Sequence, residues 1–400
     1  MTELLAPAGT LEKLKVAVAY GADAVYFGLK AFSLRNYAGN FTLEDAAAGL
    51  EYLHARGKKG YAALNIFPFD AEYDDLANQA RALEKMGVDG LIVADIGVLT
   101  TLRALGIHTP MHISTQANTL SGRAVMAWKS LGARRVNLAR ELSMAQIEDL
   151  SRFVRGVELE VFVHGAVCMA YSGRCAISDY LTGRRANRGE CTQPCRWKYR
   201  LEEEKRPGQY MPVSEDARGL YLFNSRDLAL FTYVRQLRDL GIASLKIEGR
   251  MKSIHYLATV VSLYRRVLDG ADIAEAEGLA WLGRVMNRGY SYGFAKGGIQ
   301  PEDYKWHDGQ PAATSRFLGM VEPGEGDAPL QKRRIWVDVR NRMVAGETVE
   351  YLTPEGRIGT ATLPALLKTL DGDELPEVHH GKTVLLPFDW PPWTMIRRIL

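Results

Sequence analysis

Hydrophobic and polar positions follow two different rhythms along this chain. Up to about residue 260, short apolar runs alternate with longer stretches whose apolar residues recur at the spacing of a helix face. The short runs have the length and the flanking turn residues that are typical of strands. The eight strands predicted in this way are Leu4–Ala6, Ala24–Phe27, Tyr61–Asn65, Leu91–Ala94, His112–Ser114, Arg135–Leu138, Glu158–Val163 and Ser244–Glu248.

The stretches between these runs predict amphipathic helices, among them Leu11–Tyr20, Ala71–Met86, Gly122–Leu131 and Met144–Phe153. Several of them stop at a glycine that can adopt a left-handed cap, and these glycines are Gly21, Gly87, Gly132 and Gly241. Strands that alternate with helices pair in parallel through right-handed crossovers. Eight such units favour an α/β fold closed into a TIM-type (β/α)8 barrel over an open doubly wound sheet.

The second rhythm begins beyond two further helical stretches, Ser253–Asp269 and Leu279–Met286. Residues 296–314 are rich in Gly, Pro and polar residues and read as a linker. Short alternating runs follow and predict the strands Phe317–Val321, Arg334–Val339, Thr348–Leu352 and Thr383–Leu386. We therefore expect a barrel over residues 1–295 and a small all-β domain, itself a barrel, over residues 315–400.

One connection in the first part is much longer than the others. About 80 residues, 164–243, separate the seventh and eighth predicted strands. Long segments at the carboxyl end of a barrel strand usually build the active site. All four cysteines of the chain lie inside this insertion.

Composition and charge restrict the possible partners and the compartment of the protein but do not identify it. The net charge of +3 in 400 residues is too small to indicate a polyanion partner. No apolar run approaches the roughly 20 residues that span a bilayer, and the first residues do not resemble a secretory signal. We expect a cytoplasmic protein with no membrane partner, in which clustered thiols indicate metal binding or catalysis rather than disulfides.

The cysteine spacing is Cys168-x6-Cys175-x15-Cys191-x3-Cys195. Thiolates are soft ligands that suit either zinc or an iron–sulfur cluster, and a cluster of the [4Fe–4S] type takes four of them. The paired C-x2-C knuckles of many zinc modules are absent, as is the C-x-x-C of a redox dithiol. Spacing alone places iron–sulfur ahead of zinc and leaves both open.

The residues around the cysteines carry a resemblance to a known family. The run VHGAVCMAYSGRCAISDYLTGRRANRGECTQPCRWKYRL (Val163–Leu201) resembles the signature of the collagenase-like "peptidase" family. ELLAPAG (Glu3–Gly9), DAVYFGL (Asp23–Leu29) and SLKIEGRMKS (Ser244–Ser253) are similar to it as well. The resemblance extends over essentially the whole chain, including the C-terminal β domain.

This resemblance implies hydroxylation without oxygen rather than proteolysis. Its branches act on a tRNA wobble uridine, on a ribosomal RNA cytidine or in ubiquinone biosynthesis, and for the RNA branches it implies prephenate as the hydroxyl donor. It also implies a [4Fe–4S] cluster on Cys168, Cys175, Cys191 and Cys195. The chain looks most like the tRNA branch, which gives 5-hydroxyuridine, and the source of electrons stays open.

Three alternatives remain at this point. One is hydroxylation of another RNA or of a quinone precursor, and another is a peptidase, as the older family name suggests. Neither a G-x-S-x-G elbow nor an H-E-x-x-H zinc helix is present, which removes the easiest routes to a protease. The third is an RNA-binding scaffold with a structural zinc.

Charged residues at the strand ends are candidates for the chemistry, because barrel enzymes react at that rim. Lys246, Glu248 and Arg250 alternate on the last strand and share one face. A Lys246–Glu248 ion pair would be structural, whereas a cation there would bind a carboxylate of prephenate. Arg140 and Arg35 are further candidates for that role.

Uncharged and weakly basic side chains at the same rim are also candidates. His164 ends the seventh strand, and it is either a proton donor, with Glu248 as a second catalytic residue, or a structural histidine. Gln116 and Asn118 follow the fifth strand and either hydrogen-bond a base or cap the strand end.

A basic segment with interleaved aromatic residues lies among the cysteines. Cations meet phosphates and aromatic rings stack on unpaired bases, so such a segment suits single-stranded RNA. A solvated charged face would look similar. Given the resemblance, we predict that tRNA contacts Arg184, Arg185, Arg188, Trp197, Lys198 and Tyr199.

Overall fold

The structure is a computed structural model of the chain. It describes all residues except 1, 31, 34–39, 168–176, 185–189, 195–200, 203–209, 212–213, 217–218, 222–224, 299–310 and 325–334, and between 201 and 224 it describes backbone only.

Numbered in chain order, the strands are β1 (Glu3–Pro7), β2 (Ala24–Gly28), β3 (Lys59–Leu64), β4 (Gly90–Val93), β5 (Met111–Ile113), β6 (Ala133–Asn137), β7 (Glu158–Gly165), β8 (Leu201–Glu202), β9 (Tyr210–Met211), β10 (Ser214–Asp216), β11 (Gly219–Tyr221), β12 (Asp227–Ala229), β13 (Ser244–Ile247), β14 (Tyr290–Ser291), β15 (Ser315–Val321), β16 (Ile335–Val339), β17 (Met343–Val344), β18 (Thr348–Leu352), β19 (Ile358–Thr362), β20 (Leu367–Thr369), β21 (Glu374–Leu375), β22 (Glu377–Val378), β23 (Thr383–Leu386) and β24 (Met395–Ile399). The helices are α1 (Leu11–Ala19), α2 (Leu43–His54), α3 (Tyr73–Lys85), α4 (Ile96–Ala104), α5 (Gly122–Ser130), α6 (Met144–Phe153), α7 (Ile177–Thr182), α8 (Val234–Asp239), α9 (Ile254–Leu268) and α10 (Glu275–Gly283).

Strands β1 to β7 and β13 form a closed barrel of eight parallel strands. Each strand pairs with the next in sequence, and β13 pairs with both β7 and β1 to close the ring. All eight predicted strands are present, and the predicted TIM-type barrel is confirmed. Local periodicity was sufficient here because each strand is buried on both of its faces and therefore reads as an apolar run.

Glycines end the helices as predicted. Gly21, Gly87, Gly132 and Gly241 have φ angles of +100°, +79°, +98° and +77°, the left-handed conformation that only glycine adopts without strain. Each of these glycines therefore stops a helix and turns the chain back toward the barrel.

The insertion between β7 and β13 extends the barrel sheet at the upper end of β7. Strand β12 pairs antiparallel with β7, where Leu228 faces Gly165 and Ala229 faces His164. Strand β14 then adds to β12 in parallel. The long connection thus begins at the carboxyl end of β7, where the sequence predicts it.

A second compact unit comprises residues 19–21, 253–287 and 312–400. Its eight-stranded sheet has the order β19-β18-β24-β15-β16-β23-β20-β21, and its sheet pairings are antiparallel. The predicted all-β domain is confirmed, while its closure into a barrel stays a prediction. The helix predicted over Leu279–Met286 is α10, which begins earlier.

A network of buried charged side chains connects strands and helices within this second unit. Arg397 on β24 is fully buried, and its Nη2 lies 2.6 Å from Oε1 of Glu350 on β18. Its Nη1 lies 3.3 Å from Nε2 of His255 on α9. Arg284 donates to the same carboxylate at 2.7 Å, so one acidic group balances two cations. Among the described residues, no helix is long and apolar enough to cross a bilayer.

Candidate active site at the barrel mouth

An ionic network fills the interior of the barrel. Nζ of Lys246 on β13 donates to Oε1 of Glu160 on the neighbouring strand β7 at 2.8 Å, and both side chains are almost fully buried. Asn137 donates to the same Oε1 at 2.9 Å. Arg135 Nη1 lies 2.8 Å from a carboxylate oxygen of Glu3. The Lys246–Glu248 ion pair considered from the sequence is wrong, because Lys246 binds Glu160 instead.

The electrostatics of this network favour a structural role for Lys246. Burial raises the pKa of the Glu160 carboxyl, but the charges of Lys246 and Arg135 outweigh it and lower that pKa to about 2. The ammonium of Lys246 also lies 4.4 Å from the centroid of the Tyr26 ring. Its charge is therefore compensated inside the barrel, although a contact with substrate stays a prediction.

Arg250 lies where the sequence places it, just beyond the end of β13. Only 6% of its surface is exposed, and its Nη1 donates to Oγ of Ser33 at 2.7 Å. Its guanidinium packs against Gly28 at the end of β2, where a Cβ would lie 1.9 Å from Nη1. A buried cation at the rim of two barrel strands is suited to bind an anionic substrate.

Glu248 lies against the end of β7. Gly165 has φ +112°, and a Cβ on it would lie 2.7 Å from the carbonyl oxygen of Glu248. A side chain at position 165 would therefore separate β7 from the segment after β13. Glu248 itself is half-buried at the rim, and its predicted catalytic role stays a prediction.

His164 is almost fully buried near the end of β7. Its ring centroid lies 5.5 Å from that of Tyr290 on β14. Burial lowers the pKa of its imidazole to about 3, with a small opposing effect from Asp227. The ring is therefore neutral near pH 7, which favours the structural interpretation of this residue over that of a proton donor.

Arg140 follows β6 and reaches the start of the insertion. Its Nη1 donates to the carbonyl of Ala166 at 2.7 Å, and its guanidinium lies 5.1 Å from the ring centroid of Phe162. Ala166 is two residues before Cys168. Arg140 thus fixes the backbone that leads into the cysteines.

The turn after β5 completes the described part of the rim. Asn65 Nδ2 donates to Ser114 Oγ at 3.3 Å, which joins the end of β3 to this turn. Asn118 adopts the left-handed conformation with φ +52°. Asp95, by contrast, caps α4 by accepting the N–H of Val98 at 3.1 Å. Its carboxylate therefore has a structural function at that strand end.

Of the four cysteines predicted to be cluster ligands, Cys191 is the one that lies among the residues that the structure describes. The thiol of Cys191 is exposed, and the backbone N–H of Gln193 donates to its Sγ at 3.4 Å. An N–H group directed at sulfur favours the thiolate, so Cys191 fits a ligand of an iron–sulfur cluster. The described residues hold no group of three or more possible metal ligands. The predicted site residues outside the described part of the chain are Arg35, Cys168, Cys175, Arg185, Arg188, Cys195, Trp197, Lys198 and Tyr199.

Helix α7 shows a residue that the sequence analysis missed. It lies between Cys175 and Cys191, and Tyr180 on it is 89% exposed. Arg184, a predicted RNA contact, follows the same helix and is partly exposed. An exposed aromatic ring four positions from a cation was visible as a pattern, but its exposure required the structure.

Comparison with known proteins shows which family the chain resembles. The model of "Peptidase family U32" matches residues 9–304, and that of "Peptidase family U32 C-terminal domain" matches residues 313–397. The chain is 39% identical to "tRNA hydroxylation protein P1" of Bacillus subtilis, with 94% of this chain and 89% of that protein covered. It is 36% identical to "tRNA hydroxylation protein P" of Escherichia coli, with 96% and 93% covered. A 23S rRNA 5-hydroxycytidine synthase of Escherichia coli is 35% identical, with 67% of this chain and 39% of that protein covered.

Proposed function

The chain belongs to peptidase family U32, and from that premise we propose that it is a tRNA-modifying hydroxylase. The proposed reaction converts a wobble uridine to 5-hydroxyuridine without oxygen. Prephenate is the proposed hydroxyl donor, and a [4Fe–4S] cluster is the proposed cofactor.

Similarity along the whole chain carries this proposal. The two relatives named for tRNA hydroxylation align with more than nine-tenths of this chain, at 94% and 96%. The relative named for ribosomal RNA hydroxylation aligns with 67% of it. The similarity to the relatives named for tRNA hydroxylation includes both the barrel and the C-terminal domain. It therefore favours tRNA over ribosomal RNA as the substrate.

Arg250 and Arg140 support an anionic donor at the rim. Prephenate carries two carboxylates, and removing them from water is costly unless fixed cations meet them. Arg250 is buried and oriented by Ser33, while Arg140 is oriented by the carbonyl of Ala166. A guanidinium carries N–H donors in a fixed planar fork, which is the geometry that suits a carboxylate.

The proposed cluster ligands are Cys168, Cys175, Cys191 and Cys195. Replacing the C5 hydrogen of uridine by a hydroxyl that the donor releases at the oxidation level of hydroxide sets free one proton and two electrons. A bound cluster would supply the electron transfer that passes these electrons to an external two-electron acceptor. Arg140 and Ser225 hold the start of the cysteine segment, since Ser225 Oγ donates to the carbonyl of Val167 at 2.8 Å.

Nucleoside mass spectrometry tests this function. The gene is expressed in a bacterial strain that lacks its own tRNA uridine hydroxylases, and total tRNA is digested and analysed. We expect 5-hydroxyuridine with the wild-type gene and none with Cys191→Ala. Anaerobically purified wild-type protein should hold about four iron and four sulfide per chain.

Three results would contradict the proposal. Wild-type expression without 5-hydroxyuridine would exclude the reaction, and normal hydroxylation in a strain unable to make prephenate would exclude the donor. Full iron loading together with full activity in Cys191→Ala would exclude the ligand set.

A further inference from the structure

Five buried side-chain atoms on β5, the turn after it and β6 have no hydrogen-bond partner. The absence holds within the part of the chain that the structure describes. These atoms are Nδ1 of His112, Oε1 of Gln116, Oδ1 of Asn118, Oγ1 of Thr119 and Oδ1 of Asn137. Folded proteins leave only a few buried polar groups unsatisfied per hundred residues. Four of the five belong to the turn after β5 or to the last residue of β6, and this concentration at the carboxyl ends of two neighbouring strands indicates a polar occupant.

Two of these residues line the barrel interior. Asn137 is 2% exposed and donates its Nδ2 to Glu160 inside the barrel, so its free Oδ1 is the acceptor end of the amide. His112 is 5% exposed, and its ring centroid lies 4.7 Å from that of Tyr61. Burial lowers the pKa of His112 to about 3, so this ring is neutral and offers one N–H and one lone pair.

The turn itself is held rigidly at both ends. Thr115 Oγ1 donates to the carbonyl of Leu138 at 3.3 Å, and Ala139 N–H donates to the carbonyl of Thr119 at 3.0 Å. The turn is therefore fixed to the end of β6. The next residue, Arg140, reaches Ala166 at the start of the cysteine segment. A ligand on this turn lies on the side of the rim from which the insertion begins.

The chemistry of these atoms discriminates between the two substrates of the proposed reaction. Three of them are amide oxygens, which accept hydrogen bonds and repel carboxylates. A dianionic donor is therefore disfavoured here. A pyrimidine base offers N–H groups at its edge beside carbonyl oxygens. A side-chain amide pairs with such an edge through one accepted and one donated hydrogen bond, as Asn and Gln do with adenine.

We propose that the turn Ser114–Thr119, with the adjoining faces of β5 and β6, binds the edge of the target pyrimidine. This inference rests on the proposed function and assigns its nucleobase site. Gln116 and Asn118 recognise the base, and Thr119 adds a hydroxyl. A base in this site has left its stack, as enzymes that react at a base carbon require.

Near-isosteric variants separate recognition from structure. Replacing an unsatisfied buried amide by an apolar side chain of similar shape leaves stability unchanged or raises it. Gln116→Met removes the amide, and Asn118→Gly does so while tolerating the left-handed backbone. Thr119→Val removes the hydroxyl. Gln79→Met is the matched control, since Gln79 on α3 also has a buried amide oxygen with no partner among the described residues.

The experiment measures the rate of 5-hydroxyuridine formation after induction, with the melting temperature and iron content of each purified holoprotein. We expect Gln116→Met and Asn118→Gly to slow the reaction at least roughly fivefold, the lower limit for removing a bidentate hydrogen bond to a base. The melting temperature of Gln116→Met should equal or exceed that of the wild type, and both variants should hold the wild-type amount of iron. Gln79→Met should react at the wild-type rate.

Two results would overturn the inference while leaving the proposed function standing. If both amide variants and Thr119→Val react as fast as Gln79→Met, the buried atoms bind water only. If the amide variants lose iron and melt at a lower temperature, the turn is structural. Absence of 5-hydroxyuridine with the wild-type gene would instead remove the proposed function, and this base site with it.

Discussion

Arg250 is the side chain whose proposed role in binding the hydroxyl donor, prephenate, can be tested most directly. It is buried at the rim, and Ser33 Oγ accepts a hydrogen bond from its Nη1 at 2.7 Å. Removing one charge-assisted hydrogen bond to a carboxylate costs about 1.5–3 kcal/mol. We expect Arg250→Ala to raise the half-saturating prephenate concentration roughly ten- to a hundredfold in a titration with saturating tRNA. Arg250→Lys should recover part of the loss, because it restores the charge without the fork.

Arg103 provides the control for that titration. It donates to the carbonyl of Gly132 at 2.9 Å, immediately before β6 begins, at the amino end of a barrel strand and not at the carboxyl-end rim. Arg103→Ala should leave the prephenate requirement unchanged. Equal effects of the two alanine variants, or an unchanged requirement in Arg250→Ala, would place the donor elsewhere, with Arg140 and Arg35 as the next positions to test.

Lys246 and Glu160 allow a second test, of stability instead of binding. Removing one member of a buried ion pair leaves the other charge uncompensated, which costs about 3–5 kcal/mol. We expect Lys246→Met to lower the free energy of unfolding by that amount in urea titrations. Adding Glu160→Gln to it should recover part of the loss. A surface pair, Lys382 with Asp371, lies 2.9 Å apart, and Lys382→Met should leave the free energy of unfolding essentially unchanged, because solvent screens this pair.

The single variant Lys246→Met and the double variant with Glu160→Gln together decide between two interpretations of Lys246. Recovery of stability would show that Lys246 mainly compensates Glu160. A stable Lys246→Met protein that needs far more prephenate would show instead that Lys246 binds the donor, as the sequence first suggested.

At the scale of elements, helix α7 and the residues after it present an aromatic ring and a cation to the solvent. Tyr180 is 89% exposed, and Arg184 follows two residues after the helix ends. A stacked base is worth about 1–3 kcal/mol and depends little on salt. A bound phosphate changes the slope of log affinity against log salt by roughly 0.7 to 0.9. We therefore predict that the two residues contribute to RNA affinity in different ways.

We expect Tyr180→Ala to weaken tRNA binding at every salt concentration with an unchanged salt slope. Charge reversal at Arg184, Arg185 and Arg188 should lower the slope by that amount for each phosphate that is no longer bound. Fluorescence anisotropy with an anticodon stem–loop between low and high salt measures both effects. Phe153 on α6, also exposed, supplies the control Phe153→Ala. Unchanged affinity in all variants would mean that RNA binds another face.

At the scale of the whole molecule, three buried histidines predict acid sensitivity. Burial lowers the pKa values of His112, His164 and His255 to about 3 in the folded state. The unfolded chain binds protons at these groups below about pH 6.5, so their contribution to stability is present above that pH and is lost as pH falls. Between pH 7 and 5.5 each should remove about 1 kcal/mol from the free energy of unfolding.

Urea titrations across that range measure this loss. His255→Gln should flatten the pH dependence by about one proton. Glu160 affects stability in a separate window. Its carboxyl has a lowered pKa of about 2, so its contribution is lost only as pH falls below about 4.5. A free energy of unfolding that stays constant from pH 7 to 5.5 would contradict the burial of these histidines.

The order of elements could be predicted from the sequence because it depends on local information. Strands buried on both faces appear as apolar runs, and helices end at glycines such as Gly87 that adopt positive φ angles. Prediction was weaker in the C-terminal unit. Strand β24 was missed because its sequence, MIRRI, contains two arginines, of which Arg397 is buried against Glu350.

The sequence by itself determined the barrel, the position of the insertion and the four cysteines, since all three are patterns along the chain. Only the tertiary structure decided which charges meet. Pairing of β13 with β7 places Glu160 in the barrel interior, two residues from Phe162, which is the register partner of Lys246. Strand β13 ends at Ile247, so Glu248 lies beyond it at the half-buried rim, and Lys246 binds Glu160 instead. In the same way, the pairing of β5 with β6 brought Asn137 beside the turn that follows β5.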